Sequence, residues 1–286
     1  MSQQQPDSDV RQDAETPAAP DSVPCKKCGS PVSLRRRGPN DVKRILRAVR
    51  HTGESPLLCP ACIRAVSEEQ ERAARDQLRR DRDDQLARTR ADLPGALAAI
   101  GVPAQYRAAA LDRCPDLPRD LVAAVAAWAE SPRDFWFLSG PAGSGKTWLA
   151  VAALARALSG GLYGLQDVRF IGEGDFLQRL RRGFDEGYTE PPWRCLPRTH
   201  PRRVALLALD DLASSRLTDW GRAEVARLIV DRHAHAIATI ITSNVAPSEI
   251  AEKIDSRSAS RIAEAGNMAR MPRRDLRVCG SLKGKR

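Results

Sequence analysis

The chain lacks any run of about 20 consecutive apolar residues, so no membrane-spanning helix is expected. Its first residues, MSQQQPDSDV, lack the basic start and apolar centre of an export signal, and the expectation is a cytoplasmic protein. Aromatic residues make up only 5% of the sequence, too few for long base-stacking platforms. Internal repeats are also missing. The seven cysteines do not read as a disulfide framework, because without an export signal paired cysteines more often hold metal.

What is present is enough apolar residue, 42% of 286, for one large domain and a small one. The net charge of +10 is unevenly placed. Residues 1–24 carry five acids and one base, for a net of −4, which leaves +14 on the remainder. A basic body suits a polyanion or an acidic protein surface. An arginine-rich composition alone gives the same number.

Residues 1–23 hold almost no large apolar side chains and are expected to form a disordered tail. A cysteine-bounded unit follows over 24–65. Residues 66–91 are charged and free of Gly and Pro, which predicts an exposed helical linker with acid–arginine pairs at helical spacing. The segment 92–111 is broken by Pro94, Gly95, Gly101 and Pro103 and opens the main domain, expected over 92–279, with a basic tail at 280–286. Within that domain apolar runs alternate with amphipathic stretches. DFWFLSG, VRFIGE, RVALLALDD and AIATIITSN read as strands, and helical sequence lies between and after them, including PSEIAEKIDSRSASRIAEAG. A loop holding Pro191, Pro192 and Pro197 precedes the third strand. Strands without polar alternation, separated by helices, imply an α/β fold: a parallel sheet with helices on both faces.

Gly140-Pro141-Ala142-Gly143-Ser144-Gly145-Lys146-Thr147 fits G-x-x-x-x-G-K-[ST], after an apolar strand and at the start of a helix. Glycines let backbone N–H groups turn inward around phosphate oxygens, and the helix N-terminus adds partial positive charge. Lys146 is expected to reach the β- and γ-phosphates and the Thr147 hydroxyl to coordinate Mg²⁺. A phosphate loop also needs a carboxylate on a neighbouring strand. VALLALDDL offers Asp210 for Mg²⁺, directly or through its water, and Asp211 to orient or deprotonate an attacking water. Two acids that cap the next helix are the alternative. The next apolar strand ends in Thr242-Ser243-Asn244, and Asn244 is the candidate to reach the γ-phosphate, against a turn-forming Asn. Arg257 and Arg261, four apart, share a helix face and read either as function or as a solvated basic surface.

FLSGPAGSGKTWLA, LLALDDLA, ATIITSN and SRSASRIAEAG…RRDLRV, in this order, resemble the DnaC/IstB branch of P-loop AAA+ ATPases, bacterial and phage helicase loaders and transposase helpers, over residues 93–279. The resemblance implies that Lys146 and Thr147 match Walker A, Asp210 and Asp211 Walker B, and Asn244 sensor 1. It also implies that Arg261 is an arginine finger acting on ATP held by a neighbouring subunit. Arg277 matches sensor 2, with Arg274 as second choice. A finger in trans implies an ATP-dependent homo-oligomer. Many AAA+ proteins carry Asp-Glu where this chain has Asp-Asp. The shorter side chain holds water less well, and slow hydrolysis suits a switch.

Cys25-Lys-Lys-Cys28 and Cys59-Pro-Ala-Cys62 offer four thiolates to a tetrahedral, structural Zn²⁺ in a small zinc-ribbon-like module. The 30 residues between the hooks exceed the usual about 15–20 of a short ribbon. The module is basic, and by the family resemblance it docks on a partner protein; DNA phosphates are the rival. The sequence therefore leads to an ATP-dependent loader of a replicative hexameric DNA helicase that uses ATP, Mg²⁺ and Zn²⁺ and contacts single-stranded DNA. An ATPase helper of a transposase is the near alternative. A small-molecule kinase is more distant, since no substrate-and-lid constellation replaces the late arginine helix.

Overall fold

Apolar strands that do not alternate must be covered on both faces, and the computed structural model shows how this chain does it. It describes residues 21–114, 116–185, 204–214 and 216–276, with side chains 183–185 also left aside. Most of the 1–23 tail, the proline loop, Arg277 and the 280–286 tail lie outside the described residues. The chain divides into two compact units, Met1–Arg79 and Arg80–Arg286.

In the first unit, β1 (Ser22–Pro24) and β2 (Pro31–Ser33) form an antiparallel hairpin with Val23 opposite Val32. Strand β1 thus begins inside the stretch expected to be tail, because Val23 is buried with Leu34 and Ile45 in a small core. Helix α1 (Pro39–Thr52) starts with Pro39 in its first turn and ends at Gly53, whose left-handed backbone donates to the Val49 carbonyl. This helix fills the long interval between the cysteine hooks and supplies Ile45 to the core. Helix α2 (Pro60–Ala91) begins between Cys59 and Cys62 and continues without a break into the second unit.

The second unit continues with α3 (Leu93–Ala99), whose start is capped by Asp92 accepting from the Gly95 N–H at 2.8 Å. Then come α4 (Arg119–Ala129), β3 (Phe135–Ser139), α5 (Lys146–Ser159), β4 (Val168–Gly172) and α6 (Glu173–Asp185). After the proline loop follow β5 (Leu206–Leu212), α7 (Asp219–Ala234), β6 (Thr239–Ser243), α8 (Pro247–Lys253), α9 (Ser256–Glu264) and β7 (Asn267–Arg270). The five strands pair in parallel in the order β4-β5-β6-β3-β7.

Successive side chains point to opposite faces of a strand, and the two cores divide accordingly. Trp136, Leu138, Ala208 and Ile240 join α5 on one face, whereas Phe135, Phe137, Leu209 and Ile241 join α6 and α7 on the other. Arg232 on α7 is 1% exposed and donates to Thr239 Oγ1 (2.7 Å), the Val204 carbonyl (3.0 Å) and the Ala238 carbonyl (2.8 Å). It thereby ties together the starts of β5 and β6. No helix among the described residues is long and apolar enough to cross a membrane.

Two features depart from the sequence reading. The helical stretch after Asn244 is two helices, because Asp255 interrupts it and caps α9 by accepting from the Ser258 N–H at 2.6 Å. The edge strand β7 had no counterpart, since NMAR has neither an apolar run nor β-branched residues.

Candidate active site and metal centre

Because every strand of the sheet is parallel, the residues after β3, β5 and β6 gather at one edge, where ligands bind in open α/β sheets. The loop 140–145 joins β3 to α5, and Lys146 and Thr147 form the first turn of α5. Gly140, with φ 151°, and Gly143, with φ 78°, hold backbone shapes that side chains resist. A Cβ at Gly143 would also fall 2.1 Å from Asp275 Oδ1. The segment after β7 lies against the loop: the Met271 N–H donates to the Ser139 carbonyl at 2.7 Å and the Leu276 N–H to the Gly143 carbonyl at 2.9 Å.

Lys146 is 5% exposed, and its Nζ donates to the Gly140 and Pro141 carbonyls and to Asn244 Oδ1, each at 2.9 Å. Asp210 Oδ1 accepts from Thr147 Oγ1 at 2.9 Å and from Thr242 Oγ1 at 2.6 Å. Burial pushes the Asp210 carboxyl above the usual carboxylate range, with the charge on Asp211 adding to it, while Thr242, Thr147 and Lys146 oppose the rise. Between Leu209 and Leu212 the pairing with β6 shifts by a β-bulge. The bulge turns Asp211 out of the ladder into a left-handed conformation (φ 56°) with an exposed side chain.

Lys146, Thr147, Asp211 and Asn244 line a cleft of about 330 Å³ together with Ala142 and Gly145. Ser144 is fully buried beneath it, and Pro141 faces a second cleft of about 500 Å³ shared with Asn244, Arg270, Arg273 and Arg274. Gln105 and Tyr106, in a short turn after α3, line the first cleft as well. They were not singled out from sequence, where one tyrosine in a Gly- and Pro-broken segment has no diagnostic spacing. Arg257 and Arg261 stand on α9, and among the described residues Arg261 lines neither cleft; its guanidinium pairs with Glu264 of the same helix.

These residues fit a magnesium–nucleoside triphosphate. The loop turns through left-handed glycines, a buried ammonium stands at its mouth, and a hydroxyl–carboxylate pair of the kind that holds Mg²⁺ lies beside it.

In the first unit the Sγ atoms of Cys25, Cys28, Cys59 and Cys62 all lie within 4.8 Å of one another, and Cys28 and Cys59 are 3.6 Å apart. Tetrahedral zinc with Zn–S of about 2.3 Å separates its sulfurs by about 3.8 Å. Backbone N–H groups of Cys59 and Cys62 point at Cys25 Sγ (3.2 Å) and Cys59 Sγ (3.4 Å). Burial raises the Cys25 thiol, but hydrogen bonds from the Cys59, Cys28 and Lys27 backbone outweigh it and bring the thiol down to about 6. Its neighbours Cys28 and Cys59 push Cys62 up to about 12. Four sulfurs this close can all become thiolates only around a shared cation, and the donor set fits zinc.

A five-stranded parallel sheet with a phosphate loop after its interior strand β3 and a carboxylate pair on β5 defines a P-loop domain of the AAA+ type. The profile of the IstB-like ATP binding protein family matches residues 68–260, more than half of the chain, and the chain belongs to that family. Among solved structures it is similar to the crystal structure of the DnaC helicase loader. The identity is 24% over 59% of this chain and 100% of that one, with a TM-score of 0.52. It is also similar to domain III of the Thermotoga maritima replication initiation protein DnaA, with 20% identity over 60% of this chain and 70% of that one and a TM-score of 0.50. A search of curated proteins finds no match.

Two outcomes are expected. The purified chain carries bound zinc by elemental analysis, and a Cys25→Ser/Cys28→Ser variant loses it; unchanged zinc content would move the metal elsewhere. Asp210→Asn keeps an acceptor for both threonines and removes a buried charge. In the folded chain the Asp210 pKa is raised, so above that pKa ionisation opposes folding, and the cost fades as pH falls to the ordinary carboxylate range. At neutral pH, without nucleotide, the variant therefore melts higher, by about 2–4 °C per kcal/mol relieved. Its advantage shrinks on acidification, while magnesium-dependent hydrolysis falls about 10²–10³-fold. A lower melting temperature at neutral pH would contradict the assignment.

Proposed function

We propose that this protein is an ATP-dependent loader of a replicative hexameric DNA helicase, hydrolysing ATP to ADP and phosphate. The observation that carries this reading is the separation of Arg261 from the site. Lys146, Thr147, Asp211 and Asn244 converge on one cleft, with Asp210 bonded to Thr147, while among the described residues Arg261 lines neither of the two clefts. A site of this kind is completed by a neighbour's guanidinium, so ATP is read out as assembly.

In this reading Lys146 and the loop N–H groups bind the phosphates, and Thr147 and Asp210 hold Mg²⁺. When bound, Mg²⁺ neutralises charge on the phosphate oxygens. Asp211 accepts the proton of the attacking water, and Asn244, held by Lys146, orients that water. Gln105 and Tyr106 border the side of the cleft available to the base. Arg277, outside the described residues, is the candidate for a sensor in cis, with Arg274, which lines the second cleft, as second choice. The four cysteines hold zinc in a module whose Lys26, Lys27 and Arg35–Arg37 suit docking on the helicase, and contact with single-stranded DNA is assigned to the ATPase domain. Support for a loader comes from likeness to a fold solved for a helicase loader and from the cysteine module ahead of the ATPase. The family match itself favours a second reading, an ATPase helper of a transposase.

The readings separate in a pull-down from cell extract with tagged Asp211→Asn protein and ATP. Recovery of a hexameric helicase is expected, and recovery of a transposase instead would overturn the loader. In parallel, Arg261→Ala and Lys146→Ala proteins, each reduced about 10³-fold or more, regain part of the hydrolysis rate when mixed. Failure of the mixture would place Arg261 outside the site.

A further inference from the structure

The turn that carries Asp211 is improbable for its sequence. Asp211 (φ 56°) and Ala213 (φ 57°) are both left-handed without being glycine, a shape that persists only where the surroundings impose it. Four side chains do so. Thr242 Oγ1 accepts from the Asp211 N–H at 2.9 Å, Ser243 Oγ donates to the Leu212 carbonyl at 2.6 Å, and Lys253 Nζ donates to the Ala213 carbonyl at 3.2 Å. The fourth comes from a different part of the sheet. Glu173 Oε2 accepts the Ala213 N–H at 2.6 Å, and Glu173 is 2% exposed while Ala213 is fully buried.

Glu173 follows Gly172, the last residue of β4, which pairs with Asp210. It therefore stands level with Asp211, one position beyond the partner of Asp210, at the end of the adjacent strand. A buried carboxylate accepting a backbone N–H is a strong hydrogen bond. It holds the peptide that must turn for the Asp211 side chain to face the cleft. We infer that Glu173 is a positioning residue: by fixing the left-handed turn at Ala213 it sets the direction of the Asp211 carboxylate and hence the rate of the hydrolytic step. This rests on the reading of Asp211 as the group that activates water. Glu173 acts on Asp211 through the backbone and leaves the phosphate grip at Lys146 alone.

The test measures ATP hydrolysis and binding of a fluorescent ATP analogue on the full-length chain, with melting temperature alongside. Glu173→Ala is expected to lower kcat about 10- to 100-fold, the size of a misplaced catalytic group, with analogue affinity within about twofold of the unaltered protein. Glu173→Gln keeps an oxygen acceptor and is expected to retain most of kcat. Adding Ala213→Gly to Glu173→Ala restores part of kcat, because glycine adopts the left-handed turn without being held there. Normal kcat in Glu173→Ala overturns the inference. So does parallel loss of kcat, affinity and melting temperature without rescue by glycine. Asp211→Asn is run beside these. If it is inactive while Glu173→Ala is active, only the positioning role falls. If Asp211→Asn hydrolyses normally, the reading of Asp211 falls and this inference with it.

Discussion

One carboxylate oxygen joins the three elements on which the site depends. Asp210 Oδ1, at the end of β5, accepts from Thr147 at the start of α5 and from Thr242 near the end of β6. Those elements are adjacent only because β6 lies between β5 and β3, and β3 feeds the phosphate loop. The order of the sheet thus becomes a spacing between a hydroxyl, a carboxylate and an ammonium. Holding Asp210 in a buried place raises its pKa, so ionising this carboxyl is more costly in the folded chain than in water. A site that bears such a cost is arranged for a cation, which removes the cost when it arrives.

The first unit solves the opposite problem. Its core is Val23, Leu34 and Ile45 with a few half-buried neighbours, too little to order a fold by burial alone. The four thiols draw the hairpin turn and the start of α2 onto one point, where a bound zinc would supply the missing cross-link. Binding free energy at such a centre is folding free energy.

Much of this was legible in the sequence because the chemistry needs contiguous or regularly spaced residues. The phosphate loop is eight consecutive positions, the cysteine hooks are two C-x-x-C pairs, and the apolar runs of β3, β5 and β6 are continuous. The illegible parts have other causes. Strand β7 is stabilised by pairing with β3, as Trp136–Asn267 and Leu138–Ala269 show, and by little in its own composition. Helix α1 lay hidden in the cysteine interval, whose length alone signalled an insertion. Tyr106 and Glu173 reach the site through tertiary packing, and neither has a fixed offset from Lys146 that a pattern could register. The exposed face of Asp211 depends on a bulge that no residue type in LDDLA announces.

The placement of Arg261 bears on how a nucleotide signal leaves the site. Helix α9 packs on α7, α8 and β3, and Arg261 is half-exposed and paired with Glu264. His233 of α7 approaches the same Glu264 oxygen at 3.6 Å. An exposed pair of this kind contributes little to stability, about 0–1 kcal/mol. In the proposed reading of Arg261 as a finger, exchanging Glu264 for a phosphate held by a neighbouring subunit would cost the protomer little. The interactions at the grip are the reverse: Lys146, Thr147 and Asp210 are buried or nearly so and mutually bonded. A tightly bonded binding half and a weakly held, half-exposed arginine are what the proposed switch, in which ATP occupancy becomes contact between subunits, would require.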